Sequence, residues 1–235
     1  GPASGQTFIE FLNMRVHDNG TMANLDHGFY VEVANQLIEG CEVYNNAAFG
    51  VHLYRGGSTT LPTNNIVRKN YIHNNNRLGS GRGGIMIAGP SHLVYNNVVA
   101  NNTEGIELGY GSANNNEVFN NTVYGHSTFG IQVRSGMSGN QLKNNIVYSN
   151  GTNIINDGSG TVQSNNLTTD PSFVNAAGAD FHLQAGSAAI DAGTPLVADV
   201  PDDFDGGIRP FGSAYDIGAY EYNSVIPPET IPAAP

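Results

Sequence analysis

The chain has 235 residues, a formal net charge of −11 and 39% hydrophobic residues, so it is too apolar for disorder and long enough for one domain with a substantial core. Its single cysteine, Cys41, excludes an internal disulfide, and no apolar run reaches the length of a membrane span. The acidic charge lies in residues 157–235, which carry eleven Asp and Glu against one Arg, so we expect no nucleic-acid partner.

Residues 1–5 open with GPAS, which is typical of a protease-cleavage scar, and we interpret them as a leader. A repeat then fills residues 6–170. Its Gly-apolar-x-apolar starts are Gly28, Gly50, Gly84, Gly105, Gly130 and, in degenerate form, Asn153. Their spacings of 22, 34, 21, 25 and 23 residues predict a solenoid, and the alternation within each segment predicts strands. The expected fold is a parallel β-helix whose coils bury their apolar residues by stacking.

Stacking is expected to align equivalent residues of successive coils in inward columns. The first apolar column is Phe29, Val51, Ile85, Ile106, Ile131 and Ile154. The second is Ile38, Val67, Val94, Val118, Leu142 and Val162. An asparagine column holds Asn70, Asn97, Asn121, Asn145 and Asn165, with Met14 and Cys41 in the same slot of earlier coils. Asparagine accepts left-handed φ at a bend, and its stacked amides form a ladder, so this column is interpreted as scaffold.

These coils resemble the right-handed parallel β-helix repeat proteins, a superfamily that includes pectate lyases, alginate lyases, mannuronan C5-epimerases and many bacterial surface proteins. The resemblance covers about residues 8–170. It implies an all-β, right-handed parallel β-helix of about six to seven coils. Because the matching residues are structural, it says less about activity.

Residues 171–222 are expected to form a C-terminal capping segment. Its motifs include Asp180-Phe181-His182-Leu183, Asp205-Gly206-x-x-Arg209-Pro210 and Asp216-Ile217-Gly218-Ala219-Tyr220-Glu221. They resemble the terminal segment of secreted, surface-anchored bacterial β-helix proteins, which implies an extracellular or cell-surface location. A solenoid end exposes an unpaired apolar edge. The side chains expected to cover it are Phe173, Phe181, Leu183, Ile190 and Ile217.

The same segment contains a candidate calcium loop. Asp202, Asp203 and Asp205 precede Gly206, which is an oxygen-rich arrangement followed by a turn. The alternative is that these carboxylates pair with Arg209 and cap turns. Ca²⁺ is therefore the one cofactor that the sequence suggests. Residues 223–235 are rich in proline and are interpreted as a linker tail.

Candidate functional residues share the outward face of the strands that begin each coil, because alternate strand residues point to opposite faces. One outward column is Tyr30, His52, Met86, Glu107, Gln132 and Ile155. The other is Glu32, Tyr54, Ala88, Gly109, Arg134 and Asp157. The superfamily resemblance points to the same face, because relatives bind their glycans there.

The longest coil, residues 50–83, is expected to bring three arginines towards this face, namely Arg55, Arg77 and Arg82. With Arg134 they suit bidentate recognition of carboxylates, as on a uronate-containing glycan. Tyr54 and Tyr110 are expected to stack on sugar rings.

The predicted chemistry is β-elimination or C5-epimerisation of an acidic polysaccharide. His52 is the expected base, Tyr30 or Tyr54 the acid, and Arg55 with Arg134 the groups that neutralise the carboxylate. His27 is expected to assist them. The remaining expected binding residues are Glu32, Arg77, Arg82, Glu107, Tyr110 and Gln132.

Other functions are also compatible with the sequence. Paired-carboxylate hydrolysis is less favoured, because Glu32 and Glu107 lie three coils apart, which is on the order of 15 Å. A non-catalytic glycan-binding or structural module at the cell surface fits the same pattern. A trimeric adhesin or depolymerase fragment lacks a coiled-coil segment, so we expect a monomer.

Overall fold

The computed structural model describes residues 8–54, 56, 61–79, 81–196 and 199–225. Arg55, the proposed leader at 1–5 and the tail beyond 225 therefore lie outside the described residues. Within them, no helix is long and apolar enough to cross a membrane.

The repeated coils form three parallel sheets, which we name A, B and C. Sheet A contains β1 (Glu10–Leu12), β4 (Leu37–Glu39), β7 (Ile66–Arg68), β10 (Leu93–Tyr95), β13 (Glu117–Phe119), β16 (Gln141–Lys143) and β19 (Val162–Ser164). Sheet B contains β2 (Arg15–His17), β5 (Glu42–Tyr44), β8 (Tyr71–His73), β11 (Val98–Ala100), β14 (Thr122–Tyr124) and β17 (Ile146–Tyr148). Sheet C contains β3 (Phe29–Val31), β6 (Val51–Leu53), β9 (Ile85–Ile87), β12 (Glu104–Leu108), β15 (Phe129–Val133) and β18 (Thr152–Asn156). This is a right-handed parallel solenoid of about six turns, and the predicted fold class is confirmed.

The core lies inside the solenoid and consists of the predicted columns. Phe29 pairs with Val51, and the same register continues strand by strand to Ile154. In sheet A the register matches the prediction as far as Leu142, which pairs with Gln163. Val162 pairs with Gln141 and is 51% exposed, so its place in the second column was wrong. The last coil is shifted by one residue relative to the sequence alignment, and a shift of one reverses the face of every side chain.

The doubled asparagines divide two tasks between them. The first member takes the left-handed backbone, as in Asn96, Asn120 and Asn144, where φ is 52°, 49° and 55°. The second points inward, and the amide of Asn97 both receives the Asn70 backbone N–H and donates to Asn121 at 3.0 Å. The ladder ends on Asn166, so the prediction of Asn165 was wrong.

Two further ladders, which the sequence pattern did not predict, run through the core. One passes through Asn46, Asn75, Asn102 and His126. The other passes through Gln36, Asn65, His92, Asn116 and Asn140. In both, a side chain accepts a backbone N–H from the preceding coil, so the buried bends keep their hydrogen bonds.

The C-terminal segment lies along the side of the solenoid, over the bend between sheets A and B. It begins with β20 (Phe173–Asn175), a 3-10 turn at Ala176–Gly178 and β21 (Asp180–Leu183). Tyr215 packs on Tyr95 and Phe119 of sheet A, and Phe181 packs on Val98 of sheet B. These contacts cover outward apolar side chains along the side of sheets A and B, and the segment's role as an end cap stays a prediction.

Candidate functional site

The outward face of sheet C carries the predicted polar column. Tyr30 pairs with His52, His52 with Met86, and Met86 with Glu107. His52, Met86 and Glu107 are nevertheless buried. Phe49 packs with Met86 over this face, so the face is a partly covered groove and not an open surface.

A cavity of about 430 Å³ opens on this face, within the first four coils. Its walls are Asn24, Leu25, His27, Tyr30, His52, Tyr54, Arg82 and Tyr110. The groove therefore combines strand residues with the loops that precede β3 and β9 and follow β12. Six of the residues predicted from the sequence meet here, namely His27, Tyr30, His52, Tyr54, Arg82 and Tyr110.

Aromatic rings hold His52 in place. Its ring stacks on Tyr54 with centroids 5.1 Å apart and meets the edge of Tyr30 at 5.2 Å. Tyr30 in turn stacks on His27 at 5.4 Å. Burial raises the pKa of Tyr30, so its hydroxyl stays protonated at neutral pH.

His27 and His52 are in direct contact. Nε2 of His27 lies 3.0 Å from Nδ1 of His52, and the Phe49 backbone N–H donates to Nδ1 of His27 at 3.2 Å. Burial, with Arg82 nearby, lowers the pKa of His27 to about 4. Burial, with His27 and Arg82 nearby, lowers the pKa of His52 to about 3. Both imidazoles are therefore neutral at neutral pH.

Arg82 is the cation of the groove. Its guanidinium carbon lies 5.2 Å from the centre of the Phe49 ring, and its Nε is buried without a hydrogen-bond partner among the described residues. A buried donor without a partner is costly, so an acceptor that reached this atom would stabilise the site.

Arg134 lies on the predicted face but is held by neighbours. It forms an ion pair with Glu107 and lies 4.6 Å over the ring of Tyr110. Its predicted role as a carboxylate neutraliser would need a ligand to compete with Glu107. Burial raises the pKa of Glu107, and the Arg134 ion pair opposes that rise.

Glu104 lies on the same strand as Glu107, and the sequence pattern did not single it out. It begins β12, and burial together with the charge of Glu107 raises its pKa to about 7. The raised pKa of Glu104 depends on burial, which the local sequence pattern does not show.

The other predicted binding residues are spread around the groove. The Glu32 carboxylate acts electrostatically on Tyr30, and Gln132 pairs with Glu107 in the sheet register. Arg77 does not reach the groove, because its guanidinium donates to the backbone oxygens of Asn45 and Gly20. That prediction is corrected.

The three aspartates of the candidate calcium loop point to separate partners. Asp202 pairs with Lys69, Asp205 bonds His182, and the buried Asp203 accepts from the backbone N–H groups of Gly207 and Glu221. Across the described ranges, no group of three or more His, Cys, Asp or Glu side chains is arranged to hold a metal ion. These residues therefore do not fit a shared ion, and calcium dependence stays a prediction.

Comparison with known proteins bears on the fold and the family. The solved structure of pectate lyase Pel9A is similar, with a TM-score of 0.66 and 20% sequence identity over 91% of this chain. The chain spans 59% of that structure's length. No curated protein matches it at a significant level. A family model described as the right handed beta helix region matches residues 3–168, so the chain belongs to the right-handed β-helix family.

Proposed function

We propose that this chain is a carbohydrate-active β-helix protein that holds an acidic polysaccharide in the groove on sheet C and acts on it by β-elimination or C5-epimerisation. The proposal includes an extracellular or cell-surface location and a monomeric state. It is supported by the groove chemistry and, at the level of fold, by the likeness to a structure named as a pectate lyase.

The observation that carries the proposal is that Arg82 lines the groove without an ion-pair partner among the described residues. Its guanidinium lies in a cavity lined by aromatic rings, and no described carboxylate is ion-paired with it. A uronate carboxylate would supply the missing acceptor in a site of low dielectric, where such a bond is strong. Tyr54 and Tyr110 present rings on which sugar faces can stack.

The reaction requires that the carboxylate be neutralised, that the C5 proton be removed and that a proton be supplied to the leaving oxygen or the opposite face. Arg82 meets the first need. Tyr30, with its raised pKa, is a proton donor at neutral pH. Glu104 is the described carboxyl whose pKa of about 7 suits proton exchange near neutrality.

The test is incubation of the protein with alginate, pectate and glycosaminoglycans, with and without Ca²⁺. The readouts are ultraviolet absorbance of the unsaturated product and deuterium exchange at C5. We expect a signal that Arg82→Gln lowers by at least about 100-fold, because a charge-assisted contact in a dry site is lost. Arg77→Gln is the matched control and should keep full activity, since Arg77 lies outside the groove.

A non-catalytic glycan-binding module is the second candidate. It is favoured by the low pKa of His52, about 3, which makes this side chain a poor base. Binding that depends on Arg82, without absorbance or exchange on any of these substrates, would establish this second function. Absence of both binding and turnover in a folded protein would contradict both candidates.

A further inference from the structure

We infer that His27 is a positioning residue that fixes the tautomer of His52, so that His52 presents an Nε2–H donor to the carboxylate of a bound uronate. The inference rests on the proposed function, because it names a second group with which the same groove would meet an acidic glycan.

The first step is the bond from the Phe49 backbone N–H to Nδ1 of His27, at 3.2 Å. A backbone N–H only donates, so Nδ1 of His27 must accept and carries no proton. His27 is neutral at neutral pH, and its single ring proton therefore lies on Nε2.

The second step is the contact between the two histidines. Nε2 of His27 lies 3.0 Å from Nδ1 of His52, and the rings meet edge to face at 84°. Because Nε2 of His27 carries the proton, Nδ1 of His52 accepts it. The neutral His52 then holds its own proton on Nε2.

The third step concerns the direction in which the Nε2–H group of His52 points. Tyr54 and Tyr30 pack on the ring of His52 and hold its orientation in the groove wall. In the described part of the chain, no residue hydrogen-bonds with Nε2 of His52. Arg82 lines the same cavity, so one ligand carboxylate can accept from both side chains.

This arrangement changes the role expected for His52. A neutral imidazole that accepts at Nδ1 and carries its proton on Nε2 has no free lone pair to remove a substrate proton. Reversal of the relay would place a proton on Nδ1 of His27 against the Phe49 N–H. His52 is therefore a hydrogen-bond donor to developing negative charge, and no proton transfer through it is needed.

The tautomers can be measured directly. Long-range ¹H–¹⁵N correlation spectra of the ligand-free protein, labelled at histidine nitrogens, distinguish protonated from unprotonated ring positions. Signals are assigned with His27→Gln and His52→Gln. We expect protonated Nε2 on both residues at neutral pH. A proton on Nδ1 of His52 would overturn the relay, whatever the substrate.

The role in binding is tested with His27→Ala. We expect roughly tenfold weaker binding of an oligo-uronate, about the loss of one net hydrogen bond, with unchanged folding by circular dichroism. His17→Ala, on sheet B, is the matched control and should bind like the wild type. Equal affinity of His27→Ala and wild type would overturn the positioning role. If the wild type binds no acidic oligosaccharide, the proposed function fails and the donor role falls with it, while the spectra still decide the relay.

Discussion

Glu104 and Glu107 lie on one strand, yet their surroundings give them different chemistry. Glu107 is almost fully buried and is ion-paired with Arg134. The pKa of Glu104 is raised to about 7, first by burial and then by the charge of Glu107. Removing the charge of Glu107 separates its effect on the pKa of Glu104 from the effect of burial.

We expect Glu107→Gln to lower the pKa of Glu104 while leaving it above 4.5, since burial is the larger cause and remains. The freed Arg134 charge acts in the same direction. The measurement is a titration of carboxyl ¹³C signals by NMR. Glu117→Gln, on sheet A, is the control. An unchanged pKa of Glu104 would show that the charge of Glu107 does not contribute to it.

The residues that the sequence placed on the correct face are those whose direction follows from strand alternation. Tyr30, His52 and Tyr54 were placed on one outward face, and they meet in the groove. Arg77 was misplaced because its long side chain bonds backbone oxygens of earlier coils, and no local pattern reveals such a contact. Glu104 was missed because its raised pKa depends on burial.

The doubled asparagine shows how one short element serves both the bend and the core. Asn115 takes a φ of 54° and is exposed, whereas the adjacent Asn116 is fully buried in a ladder. The Asn116 amide accepts the His92 backbone N–H at 2.8 Å and donates to Asn140 at 3.1 Å. The two neighbours therefore allow a matched comparison.

We expect Asn116→Ala to lower the free energy of unfolding by about 3 kcal/mol, because buried donors and acceptors in adjacent coils lose their partners. Asn115→Gly should change it by no more than about 0.5 kcal/mol, since glycine also accepts positive φ. Urea unfolding followed by circular dichroism measures both. Equal losses would contradict the division of tasks within the pair.

The solenoid as a whole buries histidines in its ladders as well as in its groove. His126 is buried, and its Nδ1 accepts the Asn102 backbone N–H at 3.2 Å while Nε2 lies 3.1 Å from the Val99 oxygen. Burial lowers the pKa of His126 to about 4 and that of His92 to about 3. Both side chains must stay neutral to keep these bonds.

We therefore expect stability to fall in acid. Because the pKa of His126 in the folded protein lies below the usual histidine value of 6.5, the unfolded chain binds more protons between pH 6.5 and about 4. The stabilisation is present above pH 6.5 and is lost as the pH falls to about 4, a change of about 3 kcal/mol for this residue.

The check is urea unfolding at neutral pH and near pH 4.5. His126→Asn should reduce the pH dependence by the share of this one residue, because asparagine fills this ladder position in neighbouring coils while the other buried histidines remain. His17→Asn, at an exposed position, should leave it unchanged. A wild-type stability that does not fall across this range would contradict the prediction.

The sequence by itself determined the coil, the sheet register up to the last turn and the outward column of the groove. Each of these follows from side-chain alternation and from asparagines at fixed spacing, which are local properties. Tertiary structure decided which arginine stays unpaired in the groove, how the two histidines are connected and where the C-terminal segment lies. These depend on burial and on contacts across coils or longer separations, such as Lys69 with Asp202, and a one-dimensional pattern does not contain them.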